Sequence, residues 1–588
     1  MGSSSSRPRR PAGPTGARPA TARRESLRES PVGRRRIGVL VATGTALIAF
    51  TAGAVTGARH TDGRGEVVER FGQAWEAGNY AEMHGLLDPG ARRRMPLGEF
   101  AAAYRQAGTT MTLATLQAGA PGPGAEGQLS LPVTLRTRAF GVLRRNLEVP
   151  VREKDGATVI DWNPSMVFPG LREGEALRRE TTLPPRASIL ARDGTPLAAS
   201  EPRIRPLGAG AAQAIGVLGP APAEEAGKAA ARGLPAGAPV GLSGLEKALE
   251  GRLAGRPGGR LLAGSRVAAD TAPRRGRDVR TTIDPRVQSA AVDALAGRFG
   301  GAVALDPETG EVLAFAGAAA GAPQPPGSVF KIITLAAALE HGVTTPAERF
   351  GVETATTLSG VRLENANGEL CGGSLRDSFA HSCNSVFAPL GVRVGAGRLV
   401  AMAERFGFNR PPALPGEQPS TIPAPSDLGD DLGIGSTAIG QGRVLATTVQ
   451  MASVAATVAT SGERHVPTLL LGERGPRRRV LRPRIARTVS AHMAAVVATG
   501  TGTAAAIPGV EVAGKTGTAE LRTSVPDPEA ADAPLVDDPT DTDAWFAAFA
   551  PRRDPEVAVA VLLVSQGTGG ATAAPAARVL LEAGVRGG

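Results

Sequence analysis

Residues 325–342 are PPGSVFKIITLAAALEHG, and the reading of the whole chain turns on them. Pro325-Pro326-Gly327 stops one segment, and Ser328-Val329-Phe330-Lys331 opens a helix expected to run to about Gly342. Three residues apart on a helix, Ser328 and Lys331 share a face and can touch. A serine hydroxyl is a poor nucleophile until something takes its proton, and a lysine desolvated among apolar neighbours can be neutral and do so. The positive end of the helix favours an anionic intermediate. Alone, Ser-x-x-Lys is a loose pattern that equally describes a capped helix with a solvent-facing lysine.

Working outward, Ser382-Cys383-Asn384 stands at the start of another expected helix. A second hydroxyl beside Lys331 can relay a proton to a leaving group, and Asn384 can bind a substrate amide. The third piece, Lys515-Thr516-Gly517-Thr518, lies inside an expected strand. Glycine within a strand often marks the close approach of another backbone, here a peptide adding itself as a further strand. Thr516 and Thr518 offer hydroxyls, and Lys515 a charge for a substrate carboxylate. A backbone N–H near Thr518 and that of Ser328 would form an oxyanion hole. Each piece is weak separately. The chain has only five lysines, Lys154, Lys228, Lys247, Lys331 and Lys515, and two of them fall in these patterns, which occur in the required order.

Together the three motifs resemble the signature of penicillin-binding proteins and serine β-lactamases. RASILARDGTPLA (186–198, with Ala187 in place of the typical glycine), GLSGLEKALEGRLAG, TTIDPRVQSAA, AIGQGRVLATTVQMA (438–452) and DAWFAAFAP are similar to monofunctional, class B members of that family. The region 64–172, with DWNPSMVFPGL, resembles the cone-shaped, nuclear-transport-factor-like extra domain of methicillin-resistance-type members. The resemblance implies a peptidoglycan D,D-transpeptidase. Ser328 would attack the carbonyl between the terminal D-alanines of a stem peptide and release D-Ala. Lys331 would serve as general base, Ser382 with Lys515 would relay the proton, and Asn384 would hold the peptide. Thr516, Gly517 and Thr518 would line the strand side. An amine of a second stem peptide would then take the acyl group, and β-lactams would acylate Ser328. Cys383 replaces the aspartate of the β-lactamase pattern at a position that varies in the family. A β-lactamase or β-lactam sensor, a D,D-carboxypeptidase and a non-catalytic wall scaffold are the alternatives. No Glu-x-x-Leu-Asn pattern follows Ser382 to supply a lactamase's water-activating base. Residues 59–277 carry no glycan-polymerising signature, so the resemblance implies a separate membrane polymerase and other wall-synthesis proteins as partners.

The expected fold is multidomain α+β. A disordered basic tail (1–36) precedes a transmembrane helix (37–58), followed by a small α+β domain (64–172), an extended pedestal (173–277) and a transpeptidase domain (278–588). In that last domain an antiparallel sheet is flanked by helices. Of the formal net charge of +11, residues 1–36 hold most, with ten arginines against Glu25 and Glu29. A basic tail ahead of the uncharged IGVLVATGTALIAFTAGAVTGA orients a membrane segment with the tail in the cytoplasm and the catalytic domain outside, and no recognition motif points to nucleic acid. The alternative is a signal peptide cleaved near Ala52-Gly53-Ala54, against which stand the length of the apolar run and of the tail. No paired Cys or His spacing suggests a metal, and no cofactor is expected. Cys371 and Cys383 are read as free thiols, although a loop of that size closes easily. The acidic stretch Pro526 to Asp543 is read as a solvated loop between two core strands, with recognition of a partner or substrate as the other use.

Overall fold

The computed structural model describes residues 63–125, 127–200, 203, 212–520 and 542–585. The basic tail, the apolar stretch 37–58 and most of the acidic stretch lie outside the described residues. Among those described, no single helix is long and apolar enough to cross a membrane.

Glu66 to Leu87 carries helical apolar spacing through Val67, Val68, Phe71, Trp75, Met83 and Leu87, which predicts one helix, but it folds as two, α1 (Gly63–Glu76) and α2 (Tyr80–Gly85). Gly78 turns the chain between them with φ +66°, and the Asn79 side chain caps α2 by accepting from Glu82 N at 3.2 Å. After α3 (Pro89–Arg94), α4 (Leu97–Thr110) takes up the stretch Pro96 to Ala107, which the sequence also reads as helical. The alternating stretches GQLSLPVTLRT, LRRNLEVPVRE and ATVIDWNPS form β2 (Gln128–Thr137), β3 (Gly141–Lys154) and β4 (Ala157–Ile160). They are joined at the edge by β1 (Leu113–Ala118) in an antiparallel sheet ordered β1-β2-β3-β4. Alternation puts Leu131, Leu135, Leu147 and Val149 on one face, where they pack against Phe71, Trp75, Phe100 and Tyr104 of α1 and α4. Trp162 closes this core and donates from Nε1 to the Tyr104 hydroxyl at 3.0 Å.

The region expected to be an extended pedestal, 173–277, has a sheet of its own. Its antiparallel sheet β7-β6-β5 is built from β5 (Leu177–Thr182), β6 (Gly258–Ala263) and β7 (Arg266–Thr271). Elsewhere in the region Glu246, fully buried, takes Arg186 at 2.7 Å and Arg203 at 2.5 Å.

Beyond residue 278 the chain builds one antiparallel sheet ordered β9-β8-β13-β12-β11. Its strands are β8 (Gly300–Leu305), β9 (Val312–Ala316), β11 (Ala513–Glu520), β12 (Thr542–Ala550) and β13 (Val557–Leu563). A remaining short strand, β10 (Cys371–Ser374), lies outside it. Strands from the two ends of the domain meet at the β8–β13 pairing, Val303 opposite Ala560. The helices that bear on the site and on the two faces of the sheet are α5 (Pro285–Leu295), α6 (Lys331–Glu340), α7 (Leu375–Ala380), α8 (Asn384–Val394), α9 (Thr448–Ala459), α10 (Pro483–Ala498) and α11 (Ala574–Gly584), with Ala396–Phe406 and Asp431–Ala438 as further helices between α8 and α9. Strand alternation divides the interior in two. Trp545, Ala547, Phe549, Ala560 and Leu562 face Met451, Val454 and Val458 of α9. Phe546, Ala548, Val559 and Val561 face Val287 and Ala291 of α5 with Leu580 and Leu581 of α11. Both faces are covered, which is why these strands are continuous apolar runs rather than alternating ones. Each large side chain so buried contributes roughly 1.5–3 kcal/mol.

Candidate active site

The site forms where the unpaired edge of β11 meets the turn that opens α6. Ser328 lies in a tight turn, Gly327–Phe330, continued by α6 from Lys331. Two close approaches hold that turn. Gly327 has φ +52°, and a Cβ there would stand 2.5 Å from Thr518 O of β11. On the other side Gly327 N donates to Gly440 O at 2.9 Å, in a loop whose Gly440 has φ +82°. Trp545 of β12 reaches through from the next strand and donates from Nε1 to Pro325 O at 2.9 Å. The Ser328 side chain is left half-buried, with no protein hydrogen bond to its hydroxyl among the described residues.

Lys331 and Lys515 are fully buried. Lys331 Nζ donates to Ser382 O at 2.6 Å, to Ser382 Oγ at 3.2 Å and to Asn384 Oδ1 at 2.6 Å. Lys515 Nζ donates to the same Ser382 Oγ at 2.8 Å and to Thr516 O at 2.9 Å. The Ser382 hydroxyl therefore joins two ammonium groups, and no carboxylate neutralises either among the described residues. Phe379 and Phe387 sit beneath them, 5.6 Å from Lys515 Nζ and 5.9 Å from Lys331 Nζ. Burial pushes Lys515 down to about 7. Burial first, and then the charge of Lys515, hold Lys331 well below the ordinary lysine range. A lysine in that state can accept a proton at neutral pH.

The expected residues are thus brought together by four elements: the Ser328 turn, α6, the segment entering α8 and strand β11. Two details differ from expectation. Asn384 is engaged within the protein, accepting from Lys331 and donating from Nδ2 to Glu364 O at 2.8 Å. The cysteines are not free thiols. Cys371 and Cys383 form a disulfide with their Cα atoms 5.4 Å apart, because β10 runs beside the segment entering α8.

The threonine side of the site holds a residue the sequence did not single out. The Thr501 hydroxyl, just past the end of α10, is 2.5 Å from that of Thr516, and Thr501 N donates to Ala380 O at 3.1 Å. It ties β11 to the end of α7, two residues before Ser382. Its only sequence signal is a Thr-Gly-Thr-Gly run, common in loops. Thr518 Oγ1 accepts from Gly569 N at 3.3 Å, and Gly517 lies against Pro326 O, where a Cβ would come within 2.9 Å.

Three family models match the chain: an NTF2-like N-terminal transpeptidase domain at 65–175, a penicillin-binding protein dimerisation domain at 200–280, and a penicillin-binding protein transpeptidase domain at 300–582. The peptidoglycan D,D-transpeptidase PbpA of Mycolicibacterium smegmatis is 36% identical over 414 residues, 59% of this chain and 80% of that one. PbpA of Mycobacterium tuberculosis is 36% identical over 381 residues, 53% of this chain and 73% of the relative. Among solved structures, penicillin-binding protein A of M. tuberculosis superposes with a TM-score of 0.54 at 30% identity, covering 68% of this chain and 99% of that one. The same protein as a penicillin G acyl-enzyme gives 0.53 at 29%, covering 68% and 100%. With the three domain models in this order and relatives matched over most of their length, the chain belongs to the class B penicillin-binding proteins.

Proposed function

We propose that this chain cross-links peptidoglycan as a serine D,D-transpeptidase, with Ser328 as the nucleophile, and is thereby a target of β-lactams. The observation that carries the reading is the pair of buried, uncompensated lysines sharing the Ser382 hydroxyl one helical turn from Ser328. Neutral Lys331 takes the Ser328 proton as Oγ adds to the carbonyl between the terminal D-alanines. The oxyanion is met by backbone N–H groups at Ser328 and near Thr518. Collapse breaks the peptide bond. The departing D-Ala amine takes its proton through Ser382, with Lys515 stabilising that hydroxyl and drawing the substrate's carboxylate. Asn384 orients both the relay and the peptide amide. The donor peptide lies along the open edge of β11, with Thr516, Gly517 and Thr518 beside it, so its backbone satisfies groups that no sixth strand among the described residues occupies. An amine from a second stem peptide then attacks the ester, and the steps run in reverse.

The division into a basic tail (1–36), a membrane helix (37–58), an NTF2-like domain (64–172), a pedestal (173–277) and a transpeptidase domain (278–588) belongs to the same reading. So do a catalytic domain outside the cell, single-pass anchoring with the N-terminus in the cytoplasm, and a separate membrane polymerase as partner. The charge step between residues 36 and 37 supports the anchoring, and the lack of a polymerising signature in 59–277 supports the partner.

The test is intact mass of the purified full chain after exposure to benzylpenicillin, beside Ser328→Ala. We expect an adduct of one penicillin on the wild type, lost slowly, and none on the variant. An adduct that survives in Ser328→Ala would refute the nucleophile, and rapid destruction of penicillin without an adduct would make the chain a lactamase.

A further inference from the structure

Beyond Leu563 the chain leaves the sheet and turns back across the threonine side of the site. Ser565 has φ +55°, the left-handed region that a residue with a Cβ avoids. Two ties hold this turn to the start of β12. Asp543 Oδ1 accepts from Ser565 N at 3.0 Å, and Gln566 N donates to Thr542 O at 3.0 Å. In the sheet Asp543 stands opposite Ala519, the residue after Thr518.

The turn then brings two glycines against β11. Gly569 N donates to Thr518 Oγ1 at 3.3 Å, and a Cβ on Gly569 would stand 2.3 Å from both Gly517 O and Trp545 O. A Cβ on Gly570 would stand 2.5 Å from Thr501 O. The Gly569 contact decides what Thr518 can do. A hydroxyl that accepts from a backbone N–H keeps its own hydrogen for a second partner. That partner is an acceptor on the donor peptide, or on a penicillin.

Asp543 is the costly member of this arrangement. It is fully buried, and its Oδ2 has no hydrogen-bond partner. Burial pushes the carboxyl up, against the pull of the Ser565 N–H. A buried polar atom left unsatisfied destabilises the fold, and the rest of β12 past it is alanine, tryptophan and phenylalanine as far as Ala550. Among the described residues the only hydrogen bond of the Asp543 side chain is the one to Ser565 N.

We propose that Asp543 is a positioning residue for the donor side of the site: by holding Ser565 in its strained backbone it seats Gly569 against β11 and aims the Thr518 hydroxyl at the donor's carboxylate. The proposal rests on Thr518 lining the donor strand, as stated above.

The experiment uses the full chain and two probes, benzylpenicillin and its methyl ester, which lacks the charged carboxylate. Second-order acylation rates are read by intact mass below the melting transition of every variant. In Asp543→Leu we expect the benzylpenicillin rate to fall at least tenfold and the ester rate to change less than threefold. The ratio of the two should match that of Thr518→Val, and combining the two changes should lower it no further. Asp543→Asn keeps the acceptor and should restore most of the rate. Adding Ser565→Gly to Asp543→Leu should recover part of it, because glycine takes that φ without being held. If Asp543→Leu does not fold, Asp543→Ser, too short to reach Ser565 N, carries the same expectation. Equal slowing of both probes would make Asp543 merely structural and overturn the proposal, and so would a variant without the acceptor that keeps the wild-type ratio. A Thr518→Val protein with the wild-type ratio would remove the threonine role and the proposal with it. Failure of the wild type to acylate would instead sink the transpeptidase reading itself.

Discussion

Lys515 shows how a single residue trades stability for chemistry. Burial pushes it from 10.5 to about 7, a displacement worth roughly 5 kcal/mol. Up to about pH 7 the folded chain carries the full burial penalty. Between about 7 and 10.5 the unfolded chain keeps a proton that the folded chain has given up, so stability rises with pH across that window, and above it the penalty is gone. Lys515→Met should therefore stabilise the protein by about 3 kcal/mol at pH 7, after roughly 2 kcal/mol is lost with the two hydrogen bonds. In thermal denaturation the gain should shrink towards pH 10.5, while penicillin acylation is lost. Lys331, also held low, should make acylation of the wild type rise with pH and level off well before the ordinary lysine range. Thr501 acts through Thr516, so Thr501→Val should raise KM for a peptide or thioester substrate about tenfold with kcat little changed, and Thr501→Ser should restore it. A general loss of packing would move both constants and spare neither variant. The meeting of Lys331 with the Ser382-Cys383-Asn384 segment was expected from the sequence motifs, but Thr501 was not. Its partner lies in another element, and nothing local to a Thr-Gly run announces a contact made across a fold.

At the scale of elements, the turn that presents Ser328 depends on glycine. Gly327 combines φ +52° with an approach to Thr518 O that leaves no room for a methyl group. Gly327→Ala should cost about 1–3 kcal/mol of stability and reduce acylation at least a hundredfold, since relief of the clash pushes Ser328 away from β11. Penicillin labelling at a temperature where the variant remains folded checks this. A variant labelled at the wild-type rate would show that the turn tolerates displacement. Local pattern placed several elements well: the helix after Pro325-Pro326-Gly327, the strand around Lys515 and the helix that follows Ser382-Cys383. It missed the break at Gly78, where helical apolar spacing runs across a turn that tertiary contacts make favourable. It missed β1 as well, whose partly exposed face carries little alternation.

For the molecule as a whole, the ion-pair knot at Glu246 is the feature the sequence concealed most. Residues 173–277 were expected to be an extended pedestal. There Glu246, with no exposed surface, instead binds Arg186 from 60 residues away and Arg203 from 43. Removing one partner of a buried pair leaves charge uncompensated, at a cost of roughly 3–5 kcal/mol. Glu246→Ala should lower the melting temperature accordingly and lead calorimetric unfolding to begin in this region, with the benzylpenicillin adduct at Ser328 still forming below the transition. An unchanged melting curve would mean that the knot contributes nothing.

By itself the sequence determined the family and the class of chemistry, and it set the expectations for the domain order and the catalytic set. Each of these is written in local signals: charge steps, apolar runs of fixed period, and hydroxyl–lysine spacings along one helix or strand. The tertiary structure alone decided that Cys371 and Cys383 are joined, that Ser382 serves two lysines at once, and that burial rather than a neighbouring charge depresses Lys515. Those depend on how closely distant segments approach and on how much water they exclude, and neither quantity is a property of neighbours along the chain.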